Sequence, residues 1–158
     1  MSITDVLAIV GALSGLSSIA WNVYQWQQSK AKMKISAAVV TKYQGDITTP
    51  NVLMIEMVNA GKRPIQIEMF FGRSETGDFV ITPDNLPITL EESKKHVEAY
   101  DGTIEQMVRD GIYLLGLYAV DSLGKRWQVS GGDIAKINLH LQQLRSEGII
   151  EDGEEVVW

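Results

Sequence analysis

Between Asp5 and Lys30 the chain carries no charged side chain, and from Val6 to Trp21 nearly every residue is apolar or small. At about 1.5 Å rise per residue, a helix over Val6–Trp26 is roughly 30 Å long, the thickness of a bilayer's hydrocarbon core. The stretch therefore predicts one transmembrane anchor. Met1–Asp5 lacks the basic n-region of a cleaved signal peptide, so retention is expected over cleavage at the small-residue run Ser17-Ser18-Ile19-Ala20. Trp21, Tyr24 and Trp26 suit the half-wet headgroup level, and Lys30, Lys32 and Lys34 suit an anionic cytoplasmic face. That bias predicts a single pass through the inner membrane, N-terminus outside and the rest cytoplasmic.

Ala8, Gly11, Gly15, Ser18, Asn22 and Gln25 recur at alternating three- and four-residue steps, which places small and then polar groups along one side of the helix. Gly11 and Gly15 form a GxxxG pair that lets two backbones approach closely. Two readings stand. Either this seam drives self-association, with Asn22 and Gln25 hydrogen-bonding across the contact, or Gly and Ser are simply tolerated and the two amides face water. Leu7, Val10, Leu13, Leu16 and Val23 lie largely elsewhere on the circumference, where they would face lipid.

The chain has 158 residues, so the part beyond the anchor can form one domain of ordinary size. A net charge of −6 and a pI near 4.9 disfavour a nonspecific grip on phosphate backbones, and no nucleic acid partner is expected. With no cysteine, disulfides and thiolate metal sites are excluded.

After Lys34 the period becomes alternating. Ile35–Tyr43 reads as a strand, Gly45–Asn51 as a loop, and Val52–Asn59 and Ile65–Phe71 as an antiparallel pair joined by the turn Asn59–Pro64. Next come a short strand at Asp78–Thr82, a break at Pro83–Pro87, and strands at Ile88–Leu90 and Lys94–Tyr100, the last charged like an exposed edge. Thr103 and Gln106 have capping-box spacing for a helix ending near Asp110-Gly111. Ile112–Val120 is apolar on both faces and therefore central, and Lys125–Ser130 returns beside it after the turn Asp121–Gly124. This pattern predicts a mainly β fold, an antiparallel β-sandwich. The divisions are 1–30 for the anchor and juxtamembrane segment, 31–131 for the sandwich, and 132–158 for a C-terminal amphipathic helix and acidic tail.

Gly111-Ile112-Tyr113, together with a helical turn before a central strand, resembles the Gly-x-Tyr that opens the tyrosine-corner strand of immunoglobulin-like modules. The likeness covers the strand pattern from Ile35 to Ser130. The whole layout is similar to small bacterial and phage single-pass membrane proteins with an immunoglobulin-like domain. That resemblance implies a setting, and a superfold of this kind carries no particular activity.

In the last segment, Asp133 is the expected helix cap, and Ile134, Ile137, Leu141 and Leu144 form one apolar stripe ended by Gly148. The stripe either covers the sandwich or docks onto a partner. Ile149–Trp158, with four carboxylates, reads as a frayed tail or a short recognition peptide.

Chemistry is sparse. His96 and His140 lack metal spacing, and no GxSxG, Walker A or GxGxxG motif occurs. The pairs Lys62-Arg63, Lys94-Lys95 and Lys125-Arg126 all fall at turns or strand starts, either to meet anionic lipid at the membrane-facing end or to keep edges soluble. The expectation is therefore a membrane-anchored, non-enzymatic protein-interaction or scaffolding module without cofactor or metal. Its expected partners are the lipid bilayer, a protein and, through the seam, a second copy. The alternative is a membrane-active oligomer, a holin-like or pore-forming effector, with the sandwich as its sensing or restraining part.

Overall fold

The computed structural model describes residues 2–28, 30–81 and 86–148. Its elements run α1 (Ile3–Gln28), β1 (Met33–Gln44), β2 (Ile47–Asn59), β3 (Ile65–Ser74), β4 (Gly77–Ile81), β5 (Ile88–Leu90), β6 (Lys95–Tyr100), α2 (Thr103–Arg109), β7 (Leu114–Asp121), β8 (Arg126–Gln128) and α3 (Gly131–Glu147). The fold is mainly β, in antiparallel sheets, with an apolar N-terminal helix. One sheet is ordered β1-β2-β6 and the other β4-β3-β7-β8, with β5 paired to β3.

β2 and β3 do not pair with each other, contrary to the hairpin that their short connection suggests. β2 pairs with β1 and β6, and β3 with β4, β5 and β7. Each strand has one strongly apolar face, and crossing from sheet to sheet lets both contribute to one cluster. Leu53, Ile55 and Met57 of β2 join Ile65, Ile67 and Phe70 of β3 there, with Leu114, Leu117 and Ala119 of β7. Each of these side chains except Ala119 contributes about 1.5–3 kcal/mol on burial. The Phe79 ring crosses β3 where a Cβ at Gly72 would stand, so any larger residue there would force that ring to move.

Several local expectations are corrected. β2 begins at Ile47, so Gly45–Asn51 is not one loop; the sheet register slips between Val40 and Lys42, opposite the Pro50-Asn51 step. Pro50 has no N–H to donate and Asn51 has a φ of 56°, which suits a bulge. The Thr103/Gln106 capping box does not form. Gly102 caps α2, and the Gln106 amide reaches forward to Asp110. α3 is capped by Ser130, whose hydroxyl accepts from the Asp133 N–H at 3.1 Å, and Asp133 lies in the first turn. Tyr113 precedes β7 and is exposed. Thr82–Asn85 of the expected strand end and break, and the whole tail Ile149–Trp158, lie outside the described residues.

Ile134, Ile137, Leu141 and Leu144 are buried in the domain's own core, where α3 meets β1, β7 and α2. Asn138 is buried beside them. Its Oδ1 accepts from the Leu114 N–H at 2.9 Å and its Nδ2 donates to the Leu114 carbonyl at 2.7 Å, so one side chain satisfies both backbone groups at the start of β7. Arg145 ties the far end of α3 to the carbonyls of Met107 and Ile112.

Candidate functional site at the α1 end of the domain

The window Val6–Trp26 has a mean hydropathy of 1.7, and none of it is buried against the rest of the chain. α1 is thus long and apolar enough to span a membrane. Its serines are already satisfied: Ser14, Ser17 and Ser18 donate to the carbonyls of Gly11, Leu13 and Ser14 at 2.8–2.9 Å, which removes the cost of placing bare hydroxyls in hydrocarbon. The seam residues Ala8, Gly11, Gly15, Ser18, Asn22 and Gln25 are exposed, and nothing lies within 4 Å of where a Cβ at Gly11 or Gly15 would be. At the helix end, the Trp21 and Tyr24 rings are 5.9 Å apart, and the Lys30 ammonium sits 3.9 Å over the Trp26 ring.

Beyond α1 the chain is fixed to the domain at once. The Lys32 carbonyl accepts from the N–H groups of Ala60 (2.7 Å) and Gly61 (3.1 Å) in the turn between β2 and β3. Gly61 is the residue that permits this: a Cβ there would lie 2.5 Å from Lys32 N and 2.6 Å from Lys30 O. Asn59 holds the turn from beneath. Fully buried, its amide donates to the carbonyls of Arg63 (2.8 Å) and Leu90 (2.9 Å) and accepts from the Gly61 N–H (2.9 Å). Lys32 is four residues past the last residue of α1, so at most ~14 Å of chain separates the helix end from the docked carbonyl.

This end of the domain collects positive charge. Register and turn contacts bring together residues 30–34, 60–64, 91–95 and 121–125, which hold eight of the chain's fourteen Lys and Arg (Lys30, Lys32, Lys34, Lys62, Arg63, Lys94, Lys95, Lys125) and three of its twenty acids (Glu91, Glu92, Asp121). Lys95 also pairs with Glu56 on β2 at 2.6 Å. Of the three dibasic pairs singled out in the sequence, Lys62-Arg63, Lys94-Lys95 and Lys125 meet here. Arg126 instead turns onto the outer face of its sheet, 5.1 Å over the Tyr118 ring.

A pocket of about 280 Å³ opens between the linker and the two turns, lined by Lys30, Ala31, Arg63, Pro64, Ile65, Gln66, Asp121, Ser122, Leu123 and Lys125. Asp121 builds one wall. Its Oδ1 accepts from the N–H groups of Leu123 (3.0 Å) and Lys125 (2.9 Å) and its Oδ2 from the Trp127 indole (2.9 Å), so the carboxylate is committed to its own turn. The Lys125 ammonium lies 3.6 Å over the Trp127 ring. Leu123, at the tip, is 90% exposed. Sequence reasoning read Asn59–Pro64 and Asp121–Gly124 only as turns; the available signal was a leucine where a turn usually carries a polar residue.

A second polar group lies on the outer face of the β4-β3-β7-β8 sheet. Asp78 receives the Arg73 Nε–H and the Tyr118 hydroxyl, each at 2.9 Å, and Tyr118 stacks on Phe71 at 5.5 Å. These two hydrogen bonds, Arg73's first, hold the Asp78 carboxyl below its ordinary range, and the Arg73 guanidinium is raised in turn. Burial, then the bond to Asp78, pushes the Tyr118 phenol up. Beside them Arg73, Gly116, Arg126 and Gln128 border a shallow recess of about 160 Å³ whose donors suit a carboxylate or an amide.

His96 pairs with Glu98 on the edge strand β6, and His140 Nε2 lies 2.9 Å from Asn51 Oδ1, so the two histidines sit apart. Among the described residues, no group of three or more His, Asp or Glu is placed to hold a metal ion.

No family model and no curated protein matches the chain. Among solved structures it is similar to the X-ray structure of Northeast Structural Genomics Consortium target SoR45, at 9% identity over 63% of this chain and 79% of that one, with a TM-score of 0.28. A likeness that slight carries no argument.

Proposed function

We propose that this chain is a membrane-anchored, non-enzymatic interaction module. α1 spans the inner membrane with its N-terminus outside, and an immunoglobulin-like sandwich with a C-terminal amphipathic helix is displayed at the cytoplasmic face. The observation that carries the proposal is the docked linker: an exposed apolar helix ends in an aromatic and basic collar, and within four residues the chain is hydrogen-bonded to the domain's most basic end. A domain held that way lies against the headgroups in a set orientation and does not swing on a tether.

The strand order supports the immunoglobulin-like reading. β1-β2-β6 corresponds to strands A, B and E of that superfold, and β4-β3-β7-β8 to C′, C, F and G, with the short helix α2 at the E–F connection. Cytoplasmic placement is supported by Lys30, Lys32 and Lys34 on the domain side of the span. The sheet face bearing Phe71, Tyr118, Arg73 and Arg126 points away from the core and is the surface offered to a protein partner.

Membranes from expressing cells test this. The protein is expected to resist carbonate extraction, and its domain to survive protease added to intact spheroplasts yet be cut after lysis. Carbonate release would remove the span, and digestion from outside would reverse the orientation.

A further inference from the structure

We propose that the pocket between the linker, the β2–β3 turn and the β7–β8 turn docks the phosphate of an anionic phospholipid headgroup, with Leu123 inserting into the bilayer beside it. The inference rests on the reading of α1 as a membrane span. Lys30, Arg63 and Lys125 converge on the pocket from three separate segments. The one carboxylate in its wall, Asp121, is occupied by three donors of its own hairpin and leaves these cations unpaired by it. Arg63 supplies a planar fork matched to phosphate, and Lys30 and Lys125 supply point charges. Each ammonium is also held near an aromatic face, Lys30 over Trp26 and Lys125 over Trp127, which favours one position for the charge.

The position argues for a lipid over a soluble phosphate. Lys30 belongs to the chain leaving α1, so the pocket lies within ~14 Å of the helix end, at the depth of the headgroup layer. Leu123 is 90% exposed at the tip of the neighbouring hairpin, and a bilayer is the apolar phase within its reach. Asp121 fixes that tip, so the leucine and the cations are presented together.

The chain has no cysteine, so Leu123→Cys carries a single environment-sensitive dye. The full-length protein is reconstituted into phosphatidylcholine vesicles with and without phosphatidylglycerol. The dye is expected to shift to the blue and to be quenched by nitroxide lipids only where phosphatidylglycerol is present. Arg63→Gln is expected to lower the docked-to-undocked ratio about fivefold, and Arg63→Gln with Lys125→Gln about twenty-five-fold. Both replacements leave the backbone carbonyl and N–H that hold the two turns, and an unchanged melting transition verifies folding.

Equal signals in the two kinds of vesicle, or equal signals from the variants, overturn the proposal. A dye shift produced in detergent by inorganic phosphate, with loss of the vesicle signal at matched ionic strength, assigns the site to a soluble anion and overturns the lipid. Flotation of the same samples separates the premise: protein that floats without a dye response refutes the pocket alone, and protein that fails to float refutes the span.

Discussion

Replacing Gly61 with alanine should loosen the domain from α1 while leaving it folded. The new Cβ would lie 2.5 Å from Lys32 N, 2.6 Å from Lys30 O and 3.2 Å from Ala31 C, and the first two of these backbone atoms are closer than any ordinary contact. Gly61 needs no left-handed φ, so alanine adds no strain of its own, and relief comes from withdrawing the linker by about 1 Å. That movement breaks the bonds from the Ala60 and Gly61 N–H groups to the Lys32 carbonyl. Gly61 keeps its second acceptor, Asn59 Oδ1, so the loss is between one and two hydrogen bonds, about 1–2 kcal/mol, or roughly 5–30-fold in the docked population. Trypsin acting on the protein reconstituted into vesicles reads this, because cleavage after Lys30 or Lys32 releases the domain at a rate that tracks the open fraction. Release should accelerate by that factor, while cleavage after Arg73 and Lys94 stays at the wild-type rate. Unchanged release from a folded variant would refute the docked linker, and equal acceleration at every site would mean that Gly61 supports the whole domain.

Asn138→Ala orphans the buried N–H and carbonyl of Leu114 and should cost about 2–5 kcal/mol, read as a fall of roughly 8–20 °C in the melting temperature; a fall within a degree or two would show that water replaces the amide. The Asp78 carboxyl is held below its ordinary range, so folding is favoured by its ionised form. That contribution is complete above the usual carboxylate value and is lost as pH falls through the lowered one, and Asp78→Asn should flatten the acid limb of the stability profile. The same substitution removes the Asp78 charge, which after burial is what raises Tyr118, so the late-ionising tyrosine in an ultraviolet pH titration should move down. A Cβ at Gly15 meets nothing within 4 Å, so Gly15→Leu should leave the melting transition unchanged while reducing crosslinked dimer in membranes; equal crosslinking would show that the seam makes no contact.

The long apolar helix α1 was legible in the sequence because a charge-free run of that length and composition admits few structures. The strand runs at Ile35–Tyr43, Val52–Asn59, Ile65–Phe71 and Leu114–Val120 were legible because alternation and apolar runs are local properties, although the last begins two residues later than the expected Ile112. The amphipathic stripe Ile134, Ile137, Leu141 and Leu144 was legible for the same reason, whereas its destination was open until the core claimed it.

Only the tertiary structure decided that β2 and β3 part into different sheets. A short turn is compatible with pairing or with crossing, and the choice depends on which faces must be buried together. The sequence likewise contained three dibasic pairs without a way to join them. Fold topology brought Arg63, Lys125 and Lys30 to one pocket from segments far apart in the chain and sent Arg126 to another face. Local pattern sets what each segment becomes, because propensity and periodicity act over a few residues; which segments share a surface is a long-range outcome of packing one core, and the candidate site is made at that level.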